Sequence, residues 1–132
     1  MTILLTLILA LVAFVHLAWG FNIWIPIRDE EKLARTVVGA RGVTRMPGTI
    51  PCLLVVAGLA MVIAALWMQS MMVARIILWM ATGTFLLRGL MAYTKLWRKM
   101  TPEQPFATYD QRYYGPLCLA LGAGLLIVLI KG

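Results

Sequence analysis

From Ile3 to Ile27 the chain is apolar, interrupted only by Thr6, His16 and Asn22. A soluble core of this size cannot enclose so long a run, whereas about 20 apolar residues are what a helix needs to cross a hydrocarbon layer. The run also outlasts the apolar segment of a signal peptide, and no positive cluster precedes it. It is therefore read as a retained span ending at Pro26. Three more apolar segments follow: Thr49 to Met68, Met72 to Thr94, and one that ends at Ile130. Pro51 is tolerable in the first turn of the second span, and Gln69 and Ser70 mark a tight turn into the third. The fourth span has two candidate starts. Either Thr108 and Gln111 form a capping box that begins a helix at Tyr109, bent at Pro116, or the regular helix begins near Pro116 itself. The expected fold is all-α: a polytopic membrane protein, one domain over residues 1–132, with a four-transmembrane-helix bundle spanning about 3–27, 49–68, 72–94 and 110–130. Composition agrees, at 62% hydrophobic and 13% charged residues. Disorder requires the opposite balance.

A net charge of +7 would suit nucleic acid, but the placement of the charges argues against that partner. The first polar loop, Arg28 to Gly48, carries Arg28, Lys32, Arg35, Arg41 and Arg45, and the second, from Lys95 to about Tyr109 with its flank, holds Lys95, Arg98, Lys99 and Arg112. The other side has only Arg75 and Lys131. The asymmetry puts both loops in the cytoplasm and both termini outside, with the lipid bilayer as the partner. Trp24 and Trp97 then mark the inner interface and Trp67 the outer one. Leu33, Ala34, Val37 and Val38 recur at helical spacing, and Glu31 and Arg35 lie four apart. This predicts a short helix over Arg28–Val38, lying at the membrane surface.

Cys52 and Cys118 show no CxxC spacing or Cys/His cluster, so neither a metal site nor a disulfide framework is indicated. Ser-His-Asp, HExxH, glycine-rich phosphate-loop and paired-carboxylate patterns are all missing. That argues against hydrolase, metalloprotease and ATPase chemistry, and leaves open whether the chain is an enzyme. Polar groups at membrane depth are costly and are therefore the place to look. Arg88 sits about six residues before the expected end of the third span, roughly 10 Å below the interface. Helical side chains lean toward the helix N-terminus, so Arg88 leans inward, which favours a fixed interior partner over the alternative of snorkelling to the surface. Asp110, the only acid near the fourth span, is the first candidate, with a helix cap as its other reading. His16 lies near the middle of the first span beside Trp19. A neutral histidine accepts one hydrogen bond and donates another, which suits proton transfer or a polar headgroup. One histidine gives a haem only one axial ligand, and no cofactor is identified. The candidate ligand-binding residues are His16, Trp19, Arg88, Asp110, Tyr113 and Tyr114. They suggest a polar pocket in the cytoplasmic half of the bundle, taking an amphipathic lipid or quinone-like molecule. The alternatives are an accessory subunit of a larger membrane complex or a small oligomeric transporter. Small-residue pairs (Ala60 with Ala64, Cys118 with Gly122, Ala120 with Gly124) allow close helix approach, within the bundle or in a homo-oligomer.

The segment Phe106-Ala-Thr-Tyr-Asp110-Gln-Arg-Tyr113-Tyr-Gly-Pro116-Leu-Cys-Leu119 is distinctive. With Leu87-Arg88 and Val15-His16-Leu17-Ala18-Trp19-Gly20, it resembles a family of small bacterial membrane proteins known as domain of unknown function 3995. His16, Trp19, Arg88, Phe106, Asp110, Tyr114, Pro116 and Leu117 carry the resemblance. Gly115 departs from it, where the family looks more like serine, as does Gly20-Phe21, where the family looks more like a Gly-Gly pair. The resemblance implies a four-helix protein of the bacterial inner membrane and no established activity.

Overall fold

A computed structural model describes residues 1–131, which are all-helical, with no strand among the described residues. The first helix, α1, covers Thr2–Gly20 and stops well before Pro26. Asn22 takes a φ of 61°, the left-handed conformation that asparagine tolerates better than most side chains. The Ile23 amide then reaches back to the Ala18 carbonyl at 2.8 Å, closing the helix end. Trp24, Ile25 and Ile27 fold back against Trp19, Leu33, Ala34, Met46 and Cys52. The apolar run outlasts its helix because the turn that ends the helix is apolar too.

Helix α2 covers Glu30–Val37 within the expected range. The Asp29 carboxylate caps it, accepting from the amides of Glu31 and Lys32 at 3.0 and 3.4 Å, and Glu30 and Glu31 complement the positive end of the helix. Arg35 reaches Glu103 of the second loop at 3.4 Å and not Glu31, its expected partner. Helix α3 (Thr49–Trp67) and helix α4 (Met72–Met91) flank a tight turn. There the Gln69 side-chain amide donates to the Leu66 carbonyl at 2.7 Å. The expected third span runs on to Thr94, but that residue instead caps a separate helix, α5 (Lys95–Met100), its hydroxyl accepting from the Trp97 amide.

The chain re-enters the bundle through a short helix, α6 (Phe106–Tyr109), a π-helical turn over Asp110–Tyr114, and helix α7 (Gly115–Lys131). The expected capping box does not form. The Thr108 amide and hydroxyl donate to the Gln104 side chain at 3.2 and 2.8 Å, and the helix is already under way at Phe106. Pro116 explains the π turn. It has no N–H for the Arg112 carbonyl four residues back, and its ring would collide with that carbonyl in a regular helix. Widening the preceding turn relieves the collision, and the Gly115 amide bonds to the Asp110 carbonyl five residues back.

Four helices are long and apolar enough to cross a membrane: Thr2–Gly20, Thr49–Trp67, Met72–Met91 and Phe106–Lys131. They pack as two pairs, α1 on α3 and α4 on α7, while α3 and α4 meet less extensively. The main core, including Leu5, Leu9, Leu59, Leu66, Leu78 and Leu125, lies between the pairs. On α7 the small residues serve this packing: a methyl group at Gly122 would come within 2.7 Å of Leu86 on α4. Ala60 and Ala64 stay exposed on α3. Both cysteines are unpaired.

The polar loops form a folded layer over one end of the bundle. Leu33 and Ala34 are fully buried there, as is Phe106, whose ring lies against Gly39. Glu103 joins the loops, taking the Gly42 amide at 3.0 Å as well as Arg35. The Tyr114 hydroxyl donates to the Thr36 carbonyl at 2.9 Å.

Candidate functional site

Asp110 opens the π turn, and its carboxylate is fully buried. One oxygen, Oδ1, accepts from Arg88 Nη2 at 2.8 Å. The other, Oδ2, accepts from Trp97 Nε1 at 2.8 Å and from Arg98 Nη2. The expected Arg88–Asp110 pair is thus present, but Asp110 serves two guanidinium groups. Arg98 is held from behind by the Ala107 carbonyl at 2.8 Å and the Thr101 hydroxyl at 3.1 Å. Aromatic rings cover both cations: Trp97 lies 5.0 Å from the Arg88 Cζ, and Phe106 lies 5.7 Å from the Arg98 Cζ. Such contacts partly offset the loss of water around a cation.

The charges do not balance. Two guanidinium groups face one carboxylate, which leaves one positive charge, and Arg88 Nη1 and Arg98 Nε are enclosed without an acceptor. The Arg88 side chain as a whole is 30% exposed. It lines a cavity of about 610 Å³ between α1, α3, α4 and the start of α7, whose walls include Val12, His16, Gly58, Met61, Ile77 and Phe85. Apart from Cys118, the polar side chains on its walls are His16, Thr84 and Arg88. The Thr84 hydroxyl is already committed to the Met80 carbonyl at 2.8 Å.

His16 Nδ1 lies 2.8 Å from the Val12 carbonyl on its own helix. A carbonyl oxygen can only accept, so Nδ1 carries the proton, and in the neutral ring Nε2 is left as an acceptor. The cavity is therefore lined by the Arg88 side chain and by an imidazole whose Nε2 is the acceptor in the neutral form. Trp19, 4.9 Å from His16 between ring centroids, fixes the end of α1 by donating to the Ile25 carbonyl at 2.8 Å. It faces a second space of about 140 Å³, which His16 also lines.

The six residues singled out from the sequence therefore fall into separate places. Arg88 and Asp110 are bonded, and His16 shares the cavity with Arg88. Asp110 does not line the cavity; it is fully buried and accepts from three donors. Tyr114 ties the loop layer together, and Tyr113 is exposed, packed edge-on against Tyr109. Sequence reasoning missed Arg98 and Trp97, which it assigned to membrane orientation. Their signal was local: a Thr94 cap followed by Trp97 and Arg98, one helical turn on, in a loop whose only nearby buried acid is Asp110. No group of three or more metal-ligating side chains occurs among the described residues.

A family model described as protein of unknown function (DUF3995) matches residues 9–125. No curated protein and no solved structure matches the chain.

Proposed function

Because the chain belongs to a family of proteins of unknown function (DUF3995), whose description names no activity, we propose a function from the geometry alone. The protein is a multi-pass component of the bacterial inner membrane that binds an amphipathic, lipid-like molecule. The apolar part lies in the cavity between α1, α3 and α4, and the polar end meets Arg88 and His16. The observation that carries this reading is a cavity of about 610 Å³ with an apolar wall and an incompletely neutralised arginine at one end. Insertion is supported by an outer surface of exposed Ile3, Leu7, Leu11, Phe14 and Leu54 on helices long enough to span. The basic loop layer then faces the cytoplasm.

Gly58 supplies the test. It lines the cavity, and a Cβ added there meets nothing within 4 Å. Gly58→Leu therefore fills the space, and leucine favours the helix more than glycine does. Native mass spectrometry of the protein from mild detergent should show a retained amphiphile on the wild type and its loss from Gly58→Leu, with no fall in melting temperature. Equal retention by both proteins would overturn the reading.

Orientation has its own test, in a background with Cys52 and Cys118 replaced. A cysteine in place of Lys131 should react with a membrane-impermeant thiol reagent in intact cells. One in place of Arg45 should react only after permeabilisation. The reverse pattern would invert the topology.

A further inference from the structure

We infer that the bound amphiphile is a monoanionic glycerophospholipid of the loop-side leaflet, its phosphodiester against Arg88 and one acyl chain in the cavity. This rests on the cavity reading above and adds the identity of the head. Charge comes first. The Arg88–Asp110–Arg98 cluster carries one positive charge in excess, and Asp110 is enclosed and already shared by both cations, so an incoming anion would balance it. A neutral head, such as that of a quinone, leaves the imbalance in place.

Level comes second. Arg88 lies within a turn of the end of α4 at Met91, and His16 about a turn before the end of α1 at Gly20. This is shallower than the sequence suggested, because α4 stops short of Thr94. Both residues lie where a headgroup meets hydrocarbon. Length comes third. Along α4 the lining runs from Arg88 to Ile77, about 16 Å of helix. That matches the depth of one leaflet, half of the roughly 30 Å hydrocarbon core. The groove continues toward the α3–α4 turn as a smaller space of about 200 Å³ that shares Met61 and Ile77. The methionines along it adapt readily to a flexible chain. His16 Nε2, an acceptor, suits a glycerol hydroxyl.

The experiment offers delipidated wild-type protein an equimolar mixture of phosphatidylglycerol, phosphatidylethanolamine and phosphatidylcholine with matched chains, plus palmitate, and reads the bound species by native mass spectrometry. All three lipids share the phosphodiester, so the preference comes from net charge: the choline cation offsets the phosphate, and a differential of about 1.4 kcal/mol for the uncompensated anion corresponds to about tenfold enrichment of phosphatidylglycerol over phosphatidylcholine. Arg88→Gln should lower that ratio to near one while lipid is still retained, and Gly58→Leu should remove all species alike. If the wild type retains lipid without headgroup preference, or selects palmitate, the phospholipid assignment is overturned and the cavity reading survives. If the wild type retains nothing, or Gly58→Leu retains as much, the cavity reading fails as well. The wild-type competition does not depend on either variant folding.

Discussion

Asp110→Asn should lower unfolding stability in detergent by about 3–5 kcal/mol, the range for removing one partner of a buried ion pair. The substitution preserves shape but turns an amide donor toward two guanidinium groups and leaves both without a counter-charge. Arg88→Leu should cost roughly half as much, since Asp110 keeps Arg98 and Trp97. A mutual pair would lose equally from either side, so this asymmetry is the signature of a shared carboxylate. Combining Arg88→Leu with Asp110→Asn should recover part of the loss, because only Arg98 then stays stranded. Thermal or chemical unfolding followed by circular dichroism reads all three variants. Strictly additive losses would mean that Arg88 and Asp110 act independently.

Gly39→Ala should also be severely destabilising, for two separable reasons. Gly39 has a φ of 69°, a conformation that costs a side chain about 1–2 kcal/mol. Its missing side chain is also where the Phe106 ring lies, and overpacking adds typically 1–3 kcal/mol. The sum is about 2–5 kcal/mol, expressed as loosening of the loop layer and faster proteolysis between residues 38 and 48. Gly42 is the natural control: its φ is 70°, yet nothing lies within 4 Å of an added Cβ. Gly42→Ala should show only the conformational part of the penalty. Equal losses at the two positions would remove Phe106 from the account.

The helices were legible in the sequence wherever hydrophobicity changed together with backbone conformation, as at Thr49 and Met72. They were misjudged where the two separate. Residues 21–27 are apolar and yet leave the helix, because Asn22 turns the chain. Residues 92–94 continue an apolar stretch, yet Thr94 is committed to capping α5. The Arg88–Asp110 pair was foreseeable because a deep charge needs a partner and only one acid was near. Arg98 and Trp97 were not, since a loop's basic residues already have an explanation in membrane orientation. Nothing in the linear pattern reveals that a loop helix folds back over the bundle. The cavity was equally hidden, because it arises from the looser meeting of α3 and α4, and periodicity reports which residues are apolar without reporting gaps between helices.

The widened turn at Asp110–Tyr114 also works as a phase shifter. In an unbroken α-helix, residues five apart are about 140° out of step around the axis. The structure nevertheless presents both Asp110 and Gly115 to the end of α4: the first bonds to Arg88, and a methyl group on the second would lie 3.0 Å from the Ala92 Cβ. One surplus residue absorbs the difference, so the charged entrance and the tightly packed stem keep the same azimuth. Shortening this segment by one residue would turn Asp110 away by about 100° while α7 stayed in place. The spacing between Asp110 and Pro116 is therefore as much a part of the ion cluster as the residues that bear its charges.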